Sequence, residues 1–338
     1  MEKKEYVSDI QAYMNMHRRI EGQGEPAFED PVMQEKIWGN QWGLNNDVGR
    51  LRKVLVHRPG KEEWEVMNSG GVYMPEMNAL IGPDNMWYWK GKEHPDIEKV
   101  QAQHDNLTTA LNAEGVEIVE LVDPLPHLTK TIYTRDTAIM VKGGAILCRF
   151  GIDYRRGEEL PVMRTFSKIG LPILRTIHGT GLMEGGSFLW LNENTAAVSI
   201  GHRSNHEGAR QLREVLNTLG VELLCVDNTG YGLHIDGSLV MLKPDLAVAF
   251  VQDLPWWFLN KLKEMGIHIL DAVEEDGWQS VNCLAVSPGR VIMPISAGRS
   301  AEKLIAAGIE VIPIEYDEIP KGGGGIHCST LPLVRDEV

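Results

Sequence analysis

The chain is short of positive charge, of paired cysteines and of long apolar runs. Its 338 residues carry 33 Lys and Arg against 47 Asp and Glu, a net charge of -14. A surface of that sign repels a phosphate backbone and an anionic bilayer, which argues against nucleic-acid and membrane partners and favours a cationic small molecule. Four cysteines, Cys148, Cys225, Cys283 and Cys328, are scattered with no Cys-x-x-Cys pair. That spacing argues against a zinc cluster or a disulfide framework and for reduced thiols. Apolar runs such as Leu246 to Val251 fall far short of a membrane span, and the opening MEKKEYVSDI lacks a signal-peptide core, so a cytoplasmic protein is expected. What the chain does have is 43% hydrophobic residues and 35 glycines, enough for a large core with many turns.

Five of those glycines mark a repeat. AEGVEIVEL, KIGLPILRT, TLGVELLCV, EMGIHILDA and AAGIEVIPI place Gly115, Gly170, Gly220, Gly266 and Gly308 at intervals of 55, 50, 46 and 42 residues. Glycine ends a helix in the left-handed conformation without steric cost, and the branched residues after it favour a strand. Two further short apolar runs precede four of the helices: TAIMV with GAILCRF, GSFLWL with TAAVSIG, SLVML with LAVAFV, and CLAVS with RVIMPI. The unit is therefore ββαβ. The first copy is less regular, with only KVLVH before a long insertion. Units that cannot bury their own apolar faces need neighbours, and five of them predict a closed α/β propeller of five blades. A doubly wound parallel sheet is the alternative, disfavoured because it alternates one strand with one helix.

Residues 1–45 read as an N-terminal extension, broken at Gly22, Gly24 and Pro26, and residues 46–338 as one propeller domain. The stretch Lys61 to Glu93 reads as a long loop, a lid or a disordered segment, whose Trp87, Tyr88 and Trp89 either close over a ligand or pack on the domain's own surface. Trp256 and Trp257 open the fourth helix after Pro255 and are expected against the next blade.

In a radial repeat the strand starts converge on the axis. Asp136 precedes TAIMV, Glu184 precedes GGSFLWL, His234 and Asp236 precede GSLVML, and Cys328 lies in the closing segment GGGGIHCSTLPL. Singly, each reads as a turn cap or a core group. Together, beside glycines that allow close backbone approach (Gly185, Gly186, and Gly322 to Gly325), they can do one coherent reaction. A thiolate attacks the central carbon of a guanidinium held by carboxylates, and a histidine serves as acid and then base. His57 and His127 are further candidates for the axis, on position alone.

These residues bring the chain to a known family. Through VGRLRKVLVHRPG, TRDTAIM, RRGE, MEGGS, GHRSNHEGARQ, LHID, VNCLAVSPGRVIMP and GGGGIHCSTLPLVR, most of residues 48 to 335 resemble the guanidino-modifying, or pentein, superfamily. That superfamily includes arginine deiminase, dimethylarginine dimethylaminohydrolase and glycine amidinotransferase. The resemblance implies a five-bladed ββαβ propeller, Cys328 as nucleophile and His234 as general acid and base. It implies Glu184, Asp136 and Asp236 around the guanidinium, Arg155 and Arg203 on a substrate carboxylate, and Asn205 supporting that loop. Ser187 stands where many relatives carry aspartate, which changes the hydrogen bonding expected around Glu184.

The implied activity is hydrolysis of a guanidino group on an arginine-like small molecule through a covalent S-alkylthiouronium, with no metal and no cofactor. An amidinotransferase, passing the amidino group to an amine, shares the fold and the cysteine. A non-catalytic binding module is the other alternative, which the presence of both Cys328 and His234 argues against. Which guanidine is used stays open, as does oligomeric state, a homo-oligomer included. Cys148, Cys225 and Cys283 read as core. Gly322 to Gly325 lacks the Lys-Ser/Thr ending of a phosphate loop.

Overall fold

The computed structural model describes residues 10–22, 24, 30–230 and 232–338. The first nine residues of the expected extension and its breaker Pro26 lie outside these.

The repeat folds as five separate three-stranded sheets, which excludes a single doubly wound sheet. Blade two shows the pattern. Ala138–Val141 and Gly144–Leu147 form an antiparallel hairpin, the helix Glu159–Ile169 crosses over, and Ile173–Thr176 returns parallel to the second strand. A parallel return needs such a crossover, which is why each unit carries one helix. Blade three (Phe188–Asn192, Thr195–Ile200, Glu222–Asp227), blade four (Leu239–Lys243, Leu246–Ala249, His268–Asp271) and blade five (Leu284–Ser287, Arg290–Pro294, Glu310–Ile314) repeat it. All five helix-ending glycines take positive φ, between 73° and 84°. Each is the position at which a side chain would meet its own backbone.

Blade one closes the ring. Its first strand is missing from the N-terminal repeat because the other end of the chain supplies it. Leu331–Arg335 pairs antiparallel with Leu51–Val56, which runs parallel to Glu117–Glu120. Closure thus places Cys328 just before a first strand, the same station that Asp136, Glu184 and Asp236 occupy in blades two, three and four.

Part of the N-terminal segment packs on the propeller. In the helix Pro31–Trp38, Gln34 donates to Gly143 O at 2.9 Å and accepts from Trp42 N at 2.6 Å, and Trp42 and Leu44 join the core beneath blade two. The helix Ile10–Ile20 has no buried residue.

The expected loop from Lys61 to Glu93 is instead a small built unit. The helix Lys61–Met67 leads into three antiparallel strands, Val72–Met74, Ala79–Ile81 and Tyr88–Lys90. Its strands are too short to show alternation in the sequence. Leu80, Trp87 and Trp89 form its buried centre, and the glycines serve that packing: a Cβ on Gly71 would lie 2.8 Å from the Trp87 ring.

Trp256 and Trp257 do open the helix Trp256–Glu264, but Trp256 is 75% exposed rather than packed on a blade, because Phe258 and Leu262 take the inward face. Cys148 and Cys283 are core residues, whereas Cys225 is half-buried with Arg213 Nη2 at 3.0 Å. His57 is buried against Glu62 at 2.7 Å and His127 is exposed, so neither reaches the hub cavity described next.

Candidate active site

The blade starts share one local device. A single turn of 3-10 helix, Thr134–Thr137, Gly185–Ser187 or Ile235–Gly237, leads into the first strand of blades two, three and four and sets a polar side chain at the hub. A cavity of about 330 Å³ lies there, and Asp136, Arg155, Arg203, His234, Asp236 and Cys328 all line it. Two of the expected residues do not. Glu184 is fully buried behind His234, its Oε2 2.8 Å from His234 Nε2 and 2.9 Å from Arg203 Nη1. That carboxylate is placed to hold the imidazole rather than to meet a ligand. Asn205 caps the helix His206–Thr218 through Gly208 N at 2.8 Å, and also accepts from Leu182 N at 3.0 Å, so it braces the loop that carries Arg203.

Close backbone approach makes the cluster fit. A Cβ on Gly186 would lie 2.7 Å from both Asp136 Oδ1 and His234 Nδ1, and one on Gly325 would lie 2.6 Å from Asn282 Oδ1. Gly186 N in turn donates to Asp136 Oδ1 at 3.1 Å.

The arginines differ from their expected use. Arg155 meets Glu158 through Nε at 3.0 Å and Nη2 at 2.7 Å, and Asp136 through Nη1 at 2.6 Å. Its remaining N–H groups face Glu184 Oε2 at 3.6 Å and Tyr133 O at 3.4 Å. Four of its five N–H donors are hydrogen-bonded and the fifth lies in an ion pair with Glu184, so in this arrangement Arg155 fixes Asp136 rather than waiting for a carboxylate. Arg203 uses only Nη1 on Glu184, at 2.9 and 3.2 Å, and its other donors have no partner among the described residues.

The electrostatics follow from burial against opposite charge. Burial alone would lower the His234 pKa, but Asp136 and Glu184 outweigh it and hold the imidazole above its ordinary value. Burial would raise Asp136, yet His234 and Arg155 keep it below the usual carboxylate range. Cys328, buried beside Asp236 and Asp136, is pushed well above the ordinary thiol range, so without a ligand it is a thiol. The sulfur lies 3.8 Å from Asp236 Oδ2 and accepts from Asn282 Nδ2 at 3.2 Å.

Asn282 escaped the sequence reading although its station signals it. It stands just before the first strand of blade five, as Asp136 does in blade two, and it also accepts from Cys328 N at 3.3 Å. His327, which holds Asp236 Oδ2 at 2.9 Å, and the wall residues Lys130, Tyr133 and Tyr154 were missed as well, whereas Tyr88, one of the aromatics expected either over a ligand or on the domain surface, lines the same wall. Asp136, Glu184 and His234 bring ligand atoms within 4.8 Å of one another, the spacing of a metal site. Arg155 and Arg203 already occupy those oxygens, so a divalent ion would have to displace two guanidinium groups.

A five-bladed propeller with a cysteine, an imidazole and carboxylates meeting at its hub defines the class, a guanidino hydrolase of the pentein fold. Within that class the chain belongs to the family described as N,N dimethylarginine dimethylhydrolase, eukaryotic, which matches residues 79–335. An N(G),N(G)-dimethylarginine dimethylaminohydrolase from Pseudomonas aeruginosa is 27% identical over 237 residues, 70% of this chain and 89% of that one. A structure of the Pseudomonas aeruginosa protein with citrulline superposes with a TM-score of 0.67 at 23% identity, covering 83% of this chain and 99% of that one. An amidinotransferase of the saxitoxin pathway from Microseira wollei gives a TM-score of 0.67 at 17% identity, over 88% and 98%. At those identities the superpositions speak to the fold alone.

Proposed function

We propose that the chain hydrolyses the guanidino group of an arginine-like acid at the hub cavity. The observation that carries this is the convergence of Cys328, His234, Asp136 and Asp236 on one enclosed space from separate blades. The guanidinium sits between the two aspartates, and its positive charge brings down the pKa of the adjacent thiol. The thiol proton passes to Asp236, the carboxylate within hydrogen-bond reach of the sulfur. Sulfur adds to the guanidinium carbon. His234, held as imidazolium by Glu184 and Asp136, gives its proton to the departing nitrogen, and the C–N bond breaks to release ammonia or an amine.

A covalent S-alkylthiouronium remains. Water then adds to the same carbon while neutral His234 takes one of its protons. The C–S bond breaks as Asp236 returns its proton to the departing sulfur, the freed carboxylate then takes the hydroxyl proton and passes it to solvent, and a ureido product and the free cysteine are restored. Transfer to an amine acceptor would replace water in the second half, and no feature of the cavity favours it.

Cys328→Ser tests the reading. Wild-type protein given arginine or an N-methylated arginine is expected to form ureido product, and the variant at least about 1,000-fold less. Mass spectrometry of the wild type quenched during turnover should find the amidino adduct on Cys328. Undiminished turnover by the variant would remove the mechanism.

A further inference from the structure

The cavity wall facing the aspartates is more cationic than its arginines alone account for. Lys130 lies in that wall, 2% exposed, and its Nζ donates to Tyr88 O at 2.7 Å and to Gly322 O at 2.9 Å. Both acceptors are neutral carbonyls, and no carboxylate is within ion-pair distance of it among the described residues. An ammonium has three donors, so one N–H is left without a hydrogen-bond partner. The ammonium lies over the Trp89 ring, 3.9 Å from its centroid, and the Tyr88 ring, 4.5 Å from its centroid, cation–π contacts that hold it in the wall. Burial lowers its pKa to about 7, with Glu63 and Glu158 acting against that fall and Arg155 and Arg203 adding to it. Lys130 and Arg203 are thus two buried cations in the wall of one cavity, each with a donor that no hydrogen-bond acceptor among the described residues takes.

An anion placed between them satisfies both at once. Arg155 is already neutralised, hydrogen-bonded to Glu158, Asp136 and Tyr133 and ion-paired with Glu184 at 3.6 Å. We propose that Lys130, with Arg203, receives the carboxylate of the substrate, and that it thereby selects guanidino acids over guanidino amines. The inference rests on the hydrolase reading of the cavity. It assigns the second carboxylate contact to a lysine beside the small three-stranded unit rather than to Arg155.

Lys130→Gln tests this. The amide still donates to Tyr88 O and Gly322 O but carries no charge, so packing is retained while the anion contact is lost. For L-arginine and Nω,Nω-dimethyl-L-arginine, kcat/KM is expected to fall roughly 10- to 100-fold, mainly through KM, while agmatine, which has no carboxylate, changes less than about 2-fold. An equal fall on both substrate classes would make Lys130 only a clamp on the backbone, and no change on either would remove it from the site; both overturn the proposal.

Binding separates this inference from the hydrolase reading. Calorimetry of L-citrulline against N-carbamoylputrescine, its decarboxylated counterpart, on Cys328→Ser should show a preference for the acid that Lys130→Gln abolishes. That result with no turnover in the wild type would discard the hydrolase and keep the lysine. Equal or absent binding of the two compounds would discard the lysine whatever the turnover.

Discussion

Arg135 and Asp136 are neighbours in the chain and send their side chains into two buried ionic clusters with different character. Asp136 joins the cavity, where four carboxylates (Asp136, Glu158, Glu184 and Asp236) face Arg155, Arg203 and His234, and the wall opens onto 330 Å³ of space. Arg135 joins a second buried cluster in which one carboxylate, Asp47, serves two arginines. Asp47 Oδ1 is 3.5 Å from Arg135 Nη2, its Oδ2 accepts from Trp190 N at 2.8 Å, and Arg335, the second arginine, donates to Gly49 O at 2.7 Å. Desolvation lowers the pKa of Arg335 to about 10. The cavity cluster places its groups around a void that a cationic ligand completes. The second cluster ties the segment before blade one to blades two and three, with Asp47 Oδ1 and Arg335 Nε left without a hydrogen-bond partner among the described residues. Burial, charge and free volume alone do not distinguish a site from a strut, since Asp47 and Arg335 also line clefts of about 220 and 440 Å³; the cysteine and the imidazole beside the hub charges do.

Substitutions in the two clusters should therefore fail in opposite ways. The largest effect belongs to His234→Asn. Losing the group that protonates the leaving nitrogen and activates water should lower kcat by roughly 100- to 10,000-fold, with a loss of melting temperature no larger than the imidazolium's contacts with Asp136 and Glu184 contribute. The wild-type pH profile carries the sign. Asp136 and Glu184 outweigh burial and raise the pKa of His234, so the acid form persists to higher pH than in a free histidine, and kcat falls as pH rises through that raised value. Stability follows the same direction: the imidazolium's contribution is complete below the unfolded histidine pKa and is lost as pH climbs through the folded one. An unshifted profile in the variant would take His234 out of proton transfer.

Arg135→Met should do the reverse. It removes the one cation within ion-pair distance of Asp47 among the described residues, leaving only the more remote charge of Arg335, which costs about 3 to 5 kcal/mol. Chemical denaturation reads that loss, and kcat of the folded fraction should hold within about 2-fold, since no donor of Arg135 reaches the cavity. A variant that is stable but inactive would show that the two clusters act as one.

How far the sequence told these regions apart depends on where each signal lay. The five glycines announced the helix ends because a left-handed residue is a local requirement, met in the sequence wherever it is met in space. The hub residues of blades two to four were legible because each sits at a fixed distance from an apolar strand. Asn282 had the same station and was passed over, since an amide has no obvious chemistry until the sulfur of Cys328 is seen 3.2 Å from its nitrogen. Blade one could not be read as complete from its own stretch of chain, because its first strand comes from the far terminus. The roles of Arg155 and Glu184 depended on which partners had already claimed their atoms. Spacing says nothing about that saturation, and it is visible only when Glu158 and Arg203 are in place beside them.

The smallest effect is the sharpest check on the comparison. The sequence singled out Ser187 because an aspartate there would supply hydrogen bonds near Glu184. In the structure the Glu184 carboxylate is held by His234 and Arg203, Ser204 Oγ stands 3.3 Å from its backbone N, and the Ser187 hydroxyl is fully buried with no hydrogen-bond partner among the described residues. An unpaired hydroxyl in a dry position costs free energy that an alanine does not. Ser187→Ala is therefore expected to leave kcat/KM unchanged and to raise stability by up to about 1 kcal/mol, read as a higher denaturation midpoint at constant slope. If activity fell instead, Ser187 would be supporting Glu184 through contacts the empty cavity does not display, and the line between a group that serves the ligand and one that serves the fold would run one residue further along this turn.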